Sequence, residues 1–473
     1  MSNYYHLLYT CLFYSCLSFP LLAQQVQVSA PVDLPSEVDY QLIARYDDQV
    51  LLYSKTETKF YIHSFKKGDL TQDWIKPINF ERKDVTAFRI FPHENSFSVL
   101  YYYLKKGTTY IRGKEFNAEA QAINDYEIGH FKGAFSMSDR YAISADNKQH
   151  FLVYSPLYNG QVEIINFDVQ HKKQHWQRVL HPKSLNYHQH FKQLIINNAG
   201  EVFALYNQYN TQRHSQKHQF VLGKIDLNGQ EQWNDIPFYN HLSYDIHVQY
   251  DEVNQQLVAA GLYAIDKSSL TNGIFYFNTD FAQVPTIHLT PLEEPFMRSL
   301  TGKRKKKLTG IRNFSICQLV LRKDGGVLLV AEQRFTYESS LNFYEEDKAA
   351  NQADYLYENI LIASIHPSGQ VYWKDVLFKS QSSENDNARH SSFFAVTTNS
   401  SIRFLYNNNI SWDTSIFEYV INSTGHVQRN VVTHQERKNG LLPQLAHGLQ
   451  VSSSEVIAVA ERDKKLHLLK INY

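Results

Sequence analysis

Cysteine is almost missing from this sequence: three in 473 residues, of which Cys11 and Cys16 fall within the first 23. A chain that begins after residue 23 keeps Cys317 alone, which excludes an intramolecular disulfide and a cysteine-ligated metal centre. Methionine is as rare (3) and glycine is modest (19). Neither charge is in excess, with 47 Lys+Arg against 47 Asp+Glu, so no whole-molecule field draws the chain to nucleic acid. G-x-S-x-G, H-E-x-x-H, a phosphate loop and an EF-hand loop are all absent. The sequence therefore names no catalytic residue, no cofactor and no metal ligand.

Histidine is plentiful (21), and two pairs invite a metal reading. On a strand His188 and His190 would share a face, yet Tyr187, Gln189 and Lys192 make that segment polar and no acidic ligand is near. His214 and His218 would align only on a helix and sit in a polar loop. Neither pair is assigned a metal.

The first 23 residues, MSNYYHLLYTCLFYSCLSFPLLA, carry no Asp, Glu, Lys or Arg. The run from Leu7 to Ala23 reads as a secretory signal cleaved near Ala23. Pro20 and the interspersed Tyr, Ser and Cys make it a poor spanning helix. Lipidation at Cys16 is the alternative, opposed by the bulky Phe13-Tyr14-Ser15 before it. The expectation is an exported chain whose folded part is a single domain over 24–473, in the periplasm or beside the outer membrane.

What the sequence does have is aromatic and repetitive. Tyr (32) and Phe (29) suit half-buried pleated surfaces. The stretch VLGKIDLNGQEQW, ending at Trp233, returns as LIASIHPSGQVYW, ending at Trp373, each with its tryptophan four residues past a Gly-Gln glycine. Looser copies end at Trp74 and Trp176, so the four tryptophans are 102, 57 and 140 residues apart. Those intervals are near multiples of a ~50-residue period, the mark of a repeat architecture. Filling the gaps by hydrophobic runs gives seven units of two strands plus a hairpin, from YQLIARY–DWIKPI to FFAVTT–VQRNVV. An eighth, PQLAHGL, VIAVAE and KLHLLKI, lacks its fourth strand, while QQVQVSAPVDL after residue 23 is a strand without a unit. Joining the two predicts an eight-bladed all-β propeller closed by its N-terminal strand. A seven-bladed ring is the rival.

The segments IDLNGQEQW and IHPSGQVYW resemble the quinoprotein-like (PQQ-like) repeat, whose tryptophan docks between neighbouring blades. The sharp motif stands at Trp233 and Trp373 and loosely at Trp74 and Trp176; it has one residue fewer between Asp226 and Gly229, and other units have no tryptophan. The resemblance implies a propeller fold. The family holds quinone-dependent dehydrogenases and non-enzymatic envelope scaffolds, and the adjacent-cysteine device of some of those dehydrogenases is impossible with one mature cysteine.

In four-stranded antiparallel blades, first-to-second and third-to-fourth loops share one face. Here these are tight turns: NNAGE, RKDGG, DLNGQ, HPSGQ and NSTGH. The opposite face takes the length, with insertions at 291–314 and 334–359 and further long loops at 207–219 and 379–392. Function concentrates on such loops, so the candidate partner-binding residues are Lys303, Arg304, Lys305, Lys306 and Lys307 with Tyr344, Tyr355 and Tyr357. A short helix docked on the scaffold is the plainer expectation for this region. The function expected is a non-enzymatic protein-binding scaffold, with peripheral membrane association open to the basic run. The alternative is a glycan-binding or glycan-cleaving propeller that uses carboxylates such as Glu345 or Asp354 in a central depression.

Overall fold

A computed structural model describes residues 24–473 except 36–38, 57–58, 135–139, 146–147, 181, 183–184, 266–269, 303–307, 340–351, 411–412 and 435–439. The signal-like leader, Cys11 and Cys16 lie outside the described residues. Eight antiparallel sheets follow one another along the chain, and they are the eight blades. Blade one runs Asp39–Tyr46, Gln49–Lys55, Phe60–Lys66 and Gln72–Ile78, each strand paired with the next. Middle strands read as unbroken apolar runs because a neighbouring blade covers each face; His150–Pro156 is buried at six of its seven positions. Outer strands alternate, as Gln72–Ile78 does.

The core is eight clusters, each shared by two adjacent blades. One joins Leu51, Ile62 and Phe97 across blades one and two, and another joins Leu52 and Phe65 to Ile457 and Leu468 across blades one and eight. That last cluster closes the ring. Closure by the N-terminal strand is as expected: Gln25–Val28 pairs with Lys465–Asn472, in register from Gln25 opposite Asn472 to Val28 opposite Leu469. The Ser29 N–H donates to Leu468 O and the Leu468 N–H donates to Ser29 Oγ, both at 2.9 Å.

The five turns read from sequence form as expected. Gly200, Gly229, Gly325, Gly369 and Gly425 all have φ between +78° and +85°, the left-handed position of a three-residue hairpin loop. In three of them the leading Asn197, Asp226 or Asn422 turns its Oδ1 back to accept two backbone N–H groups.

Of three local details, two differ from the sequence pattern and one agrees with it. The first strand of blade three, for which the hydrophobic pattern offers GAFSM (133–137), is Tyr141–Ile143; residues 135–137 lie outside the described residues. The insertion 291–314 contains the short docked helix that was the plainer expectation there: Glu294–Thr301, whose Met297 and Leu300 enter the core between blades five and six. In the described part of the insertion 334–359 the middle ladder of blade six continues, with Val327–Ser339 paired to Gln352–Ile365. A run of polar and aromatic residues carries the hydrogen-bond ladder outward where no neighbouring blade demands apolar side chains, so hydrophobic periodicity did not mark it.

Candidate functional site

The continued ladder makes blade six project from the long-loop face. Arg334 stands opposite Tyr357 and Ser339 opposite Gln352, and Gln381–Glu384 adds a third strand along Tyr357–Asp354. Beyond Arg334, whose N–H donates to Asn313 O, the outer edge of the first strand has no backbone partner among the described residues. Phe335 and Tyr337 share a face with parallel rings 6.2 Å apart, and Tyr337 is 55% exposed. An open strand edge with an aromatic beside it is a template for another strand.

A buried ionic network anchors the projection. Glu332, fully buried, has Lys379 Nζ at 2.7 Å from one carboxylate oxygen as an ion pair rather than an aligned hydrogen bond. Its other oxygen accepts from Arg334 Nε and Ser392 Oγ, each at 2.8 Å. Lys379 Nζ also donates to Gln381 Oε1 (2.7 Å) and Tyr357 O (3.1 Å). Burial lowers the lysine pKa, and the adjoining Glu332 carboxylate opposes that shift. Burial, then the same carboxylate, pushes the Cys317 thiol up to about 12, so the thiol stays protonated and inert. Such a network fixes geometry more than it adds stability. It binds 379–392 to the ring, where Gln381 Nε2 donates to Asn407 O in blade seven and Arg389 pairs with Glu461 in blade eight at 3.3 Å.

The candidate residues are placed unequally. Tyr357 is half-buried beneath the Arg334 guanidinium, 5.0 Å from its ring centre; Tyr355 Oη donates to Asn387 Oδ1 at 3.4 Å. Lys303, Arg304, Lys305, Lys306, Lys307, Tyr344 and Glu345 lie outside the described residues. Asp354 sits on the projecting ladder opposite Tyr337 and Glu384, not in a central depression. The helix before the basic run is held by Lys374 on Glu293 (2.9 Å) and by the Asn359 amide on Leu300 O (2.9 Å). All four blade tryptophans pack at cores shared by two blades: Trp74 with blades one and two, Trp176 and Trp233 with three and four, Trp373 with six and seven.

Sequence length pointed to the long-loop face, yet a wide concavity opens on the other one. A cavity of about 940 Å³ lies there among blades one, two, three and eight, its rim mixing Arg45, Lys148 and Lys172 with Asp47, Glu94 and Glu115. Tight turns leave an open funnel, which loop length cannot reveal. His188 and His190 are on a helical turn, Tyr187–His190, not a strand, and His190 Nδ1 accepts the Asn186 N–H. His218 is buried in blade four, with Nδ1 donating to His241 O at 2.6 Å, while His214 caps back onto Thr211. The Glu332 network went unseen because Glu332 and Arg334 of one strand meet Lys379, Gln381 and Ser392 from a segment distant in sequence.

No family model matches the chain, and no curated protein matches it. Among solved structures, the Dos1 propeller aligns over 94% of this chain and 94% of its own, at 9% identity and a TM-score of 0.46. The β-propeller domain of the Trilobed protease from Pyrococcus furiosus aligns over 86% and 98%, at 9% identity and 0.39. The polysaccharide lyase Uly1 aligns over 82% and 89%, at 10% identity and 0.39. All three scores fall below 0.5, so the eight-bladed ring rests on this chain's own sheets. The likeness to the quinoprotein-like repeat stands at the level of the propeller.

Proposed function

We propose that this chain is an exported, non-enzymatic scaffold that docks an envelope protein on its long-loop face. The observation that carries the reading is the projecting strand pair of blade six, with an outer edge unpaired among the described residues and an exposed Tyr337. A strand added to that edge gains main-chain hydrogen bonds, and alternate side chains supply selectivity. The anchoring network favours the same role, because a rigid loop loses little entropy on binding. The basic run 303–307 follows the docked helix directly in sequence and would steer an acidic partner or anionic headgroups. Export follows from the apolar, uncharged first 23 residues.

The test is affinity capture from gently solubilised envelopes. The intact chain is compared with one in which 337–354 is replaced by an Asn-Gly turn, which leaves Thr336 paired with Tyr355, and with Tyr337→Glu. A stoichiometric partner held by the intact chain and lost from both variants is the expected result. Equal capture by all three, or a bare monomer in each, overturns the reading.

A further inference from the structure

Blade three holds a group of side chains that partner docking leaves unused. His150 begins its second strand and Asp168 ends its third, and the two are direct cross-strand partners. On the fourth strand, Trp176 pairs with Asn166 and Gln174 with Phe167, so His175 between them is the extra residue of a bulge. A bulge re-aims the side chain it carries. Blades one and six have the same bulge, filled by Asp73 and Tyr372. The bulge thus recurs in three blades, and the histidine is what blade three adds.

One donor atom each from His150, Asp168 and His175 lies within 4.8 Å of the other two. His175 Nε2 is 3.9 Å from Asp168 Oδ2, and the imidazoles of His150 and His175 are 5.5 Å apart between ring centres. His171, in the connecting turn, brings Nδ1 to 2.8 Å from the same carboxylate oxygen. Gln149 Nε2 donates to it as well, at 3.2 Å. An independent observation points to a ligand: His150 Nδ1 and His175 Nε2 are both buried with no hydrogen-bond partner, and His150 is only 6% exposed. Buried polar nitrogens are ordinarily satisfied, so the orphaned His175 Nε2 beside this carboxylate, with the unsatisfied His150 ring next to it, calls for a third party.

We propose that His150, Asp168 and His175 bind a divalent transition metal of the zinc class, with His171 as fourth donor. Three imidazoles and one carboxylate are the donor chemistry zinc takes, at about 2.0–2.2 Å per bond. In a tetrahedron of that size donors stand about 3.4 Å apart, so the present spacing closes by side-chain rotation. The Gln149 amide then orients the carboxylate, as outer partners of metal ligands do. Access is direct, since the His171 side chain is 65% exposed and Gln149 lines the wide cavity of this face. The ion would tie three strands of one blade together in a chain whose described part has one cysteine.

The test uses the full chain, stripped with EDTA and dialysed, then titrated with zinc and separately with cobalt. One equivalent of zinc should bind and raise the unfolding temperature, and cobalt should give the visible bands of a tetrahedral centre. His171→Ala, at an exposed turn, should weaken zinc binding at least tenfold. A His150→Ala/His175→Ala variant, checked by circular dichroism for an intact ring, should bind none. No stoichiometric uptake by the natural chain, or uptake unchanged in His171→Ala, overturns the proposal. If the double variant fails to fold, the natural chain and His171→Ala still decide the matter.

Discussion

His63 shows what a single side chain contributes when a blade encloses it. It is 1% exposed in the third strand of blade one. The Gln72 amide donates to Nδ1 at 3.1 Å, and Nε2–H donates to Ser54 Oγ at 2.9 Å. Both nitrogens are satisfied in the neutral form, and burial lowers the pKa from 6.5 to about 4. Between those values the unfolded chain binds more protons than the folded one, so stability is present above 6.5 and lost as pH falls towards 4. The full shift corresponds to roughly 3 kcal/mol. Urea unfolding at pH 7.5 and 4.5 should show a drop that His63→Gln reduces by about that amount. An equal drop in both proteins would mean that other groups carry the acid sensitivity. KFYIHSF reads plainly as a strand in sequence, but the polar cage of its histidine does not, because Ser54 and Gln72 come from the flanking strands.

Between elements, the recurring device is an outer-strand side chain laid on the turn of the next blade. Trp373 of blade six meets the Gly425 turn of blade seven so closely that a Cβ at residue 425 would sit 2.6 Å from the indole. Arg178 of blade three lies likewise against Gly229 of blade four and donates to its carbonyl. Lys76 Nζ reaches Glu119 O in blade two, at 2.7 Å. Gly425 thus carries two demands, a left-handed φ of +85° and a missing side chain. Gly425→Ala should cost about 1–3 kcal/mol, and Trp373→Ala a comparable amount from lost packing. Because they touch, the double variant should cost less than the sum by about 0.5 kcal/mol or more. A double-mutant cycle from urea midpoints measures this; strict additivity would separate the tryptophan from the turn. The turn itself was legible from Asn422-Ser-Thr-Gly425, whereas its indole neighbour, in another unit, was not.

At the scale of the molecule, the ring depends on its two ends meeting. Val32 is 3% exposed within the cluster that joins blades eight and one, and Val26 and Val28 pack on the core shared by seven and eight. Gln24 adds a hydrogen bond to Glu418 at 2.5 Å. A chain lacking 24–35 loses this burial and bares the edge of Lys465–Asn472. At about 1.5–3 kcal/mol per buried aliphatic side chain, the loss is roughly 3 kcal/mol or more, accompanied by association through the opened edge. Urea midpoints and light scattering read both effects; unchanged values would show that the ring holds without its closing strand. The sequence by itself determined the eight-unit rhythm, the glycine turns and the orphan N-terminal strand, because these rest on local periodicity and φ requirements. Only the tertiary structure decided that 334–339 and 352–359 form a projecting ladder, that a wide concavity faces the short turns, and that Glu332 meets Lys379 and His150 meets Asp168 and His175. Each of those depends on strand register, bulges and contacts between segments, which hydrophobic periodicity does not report.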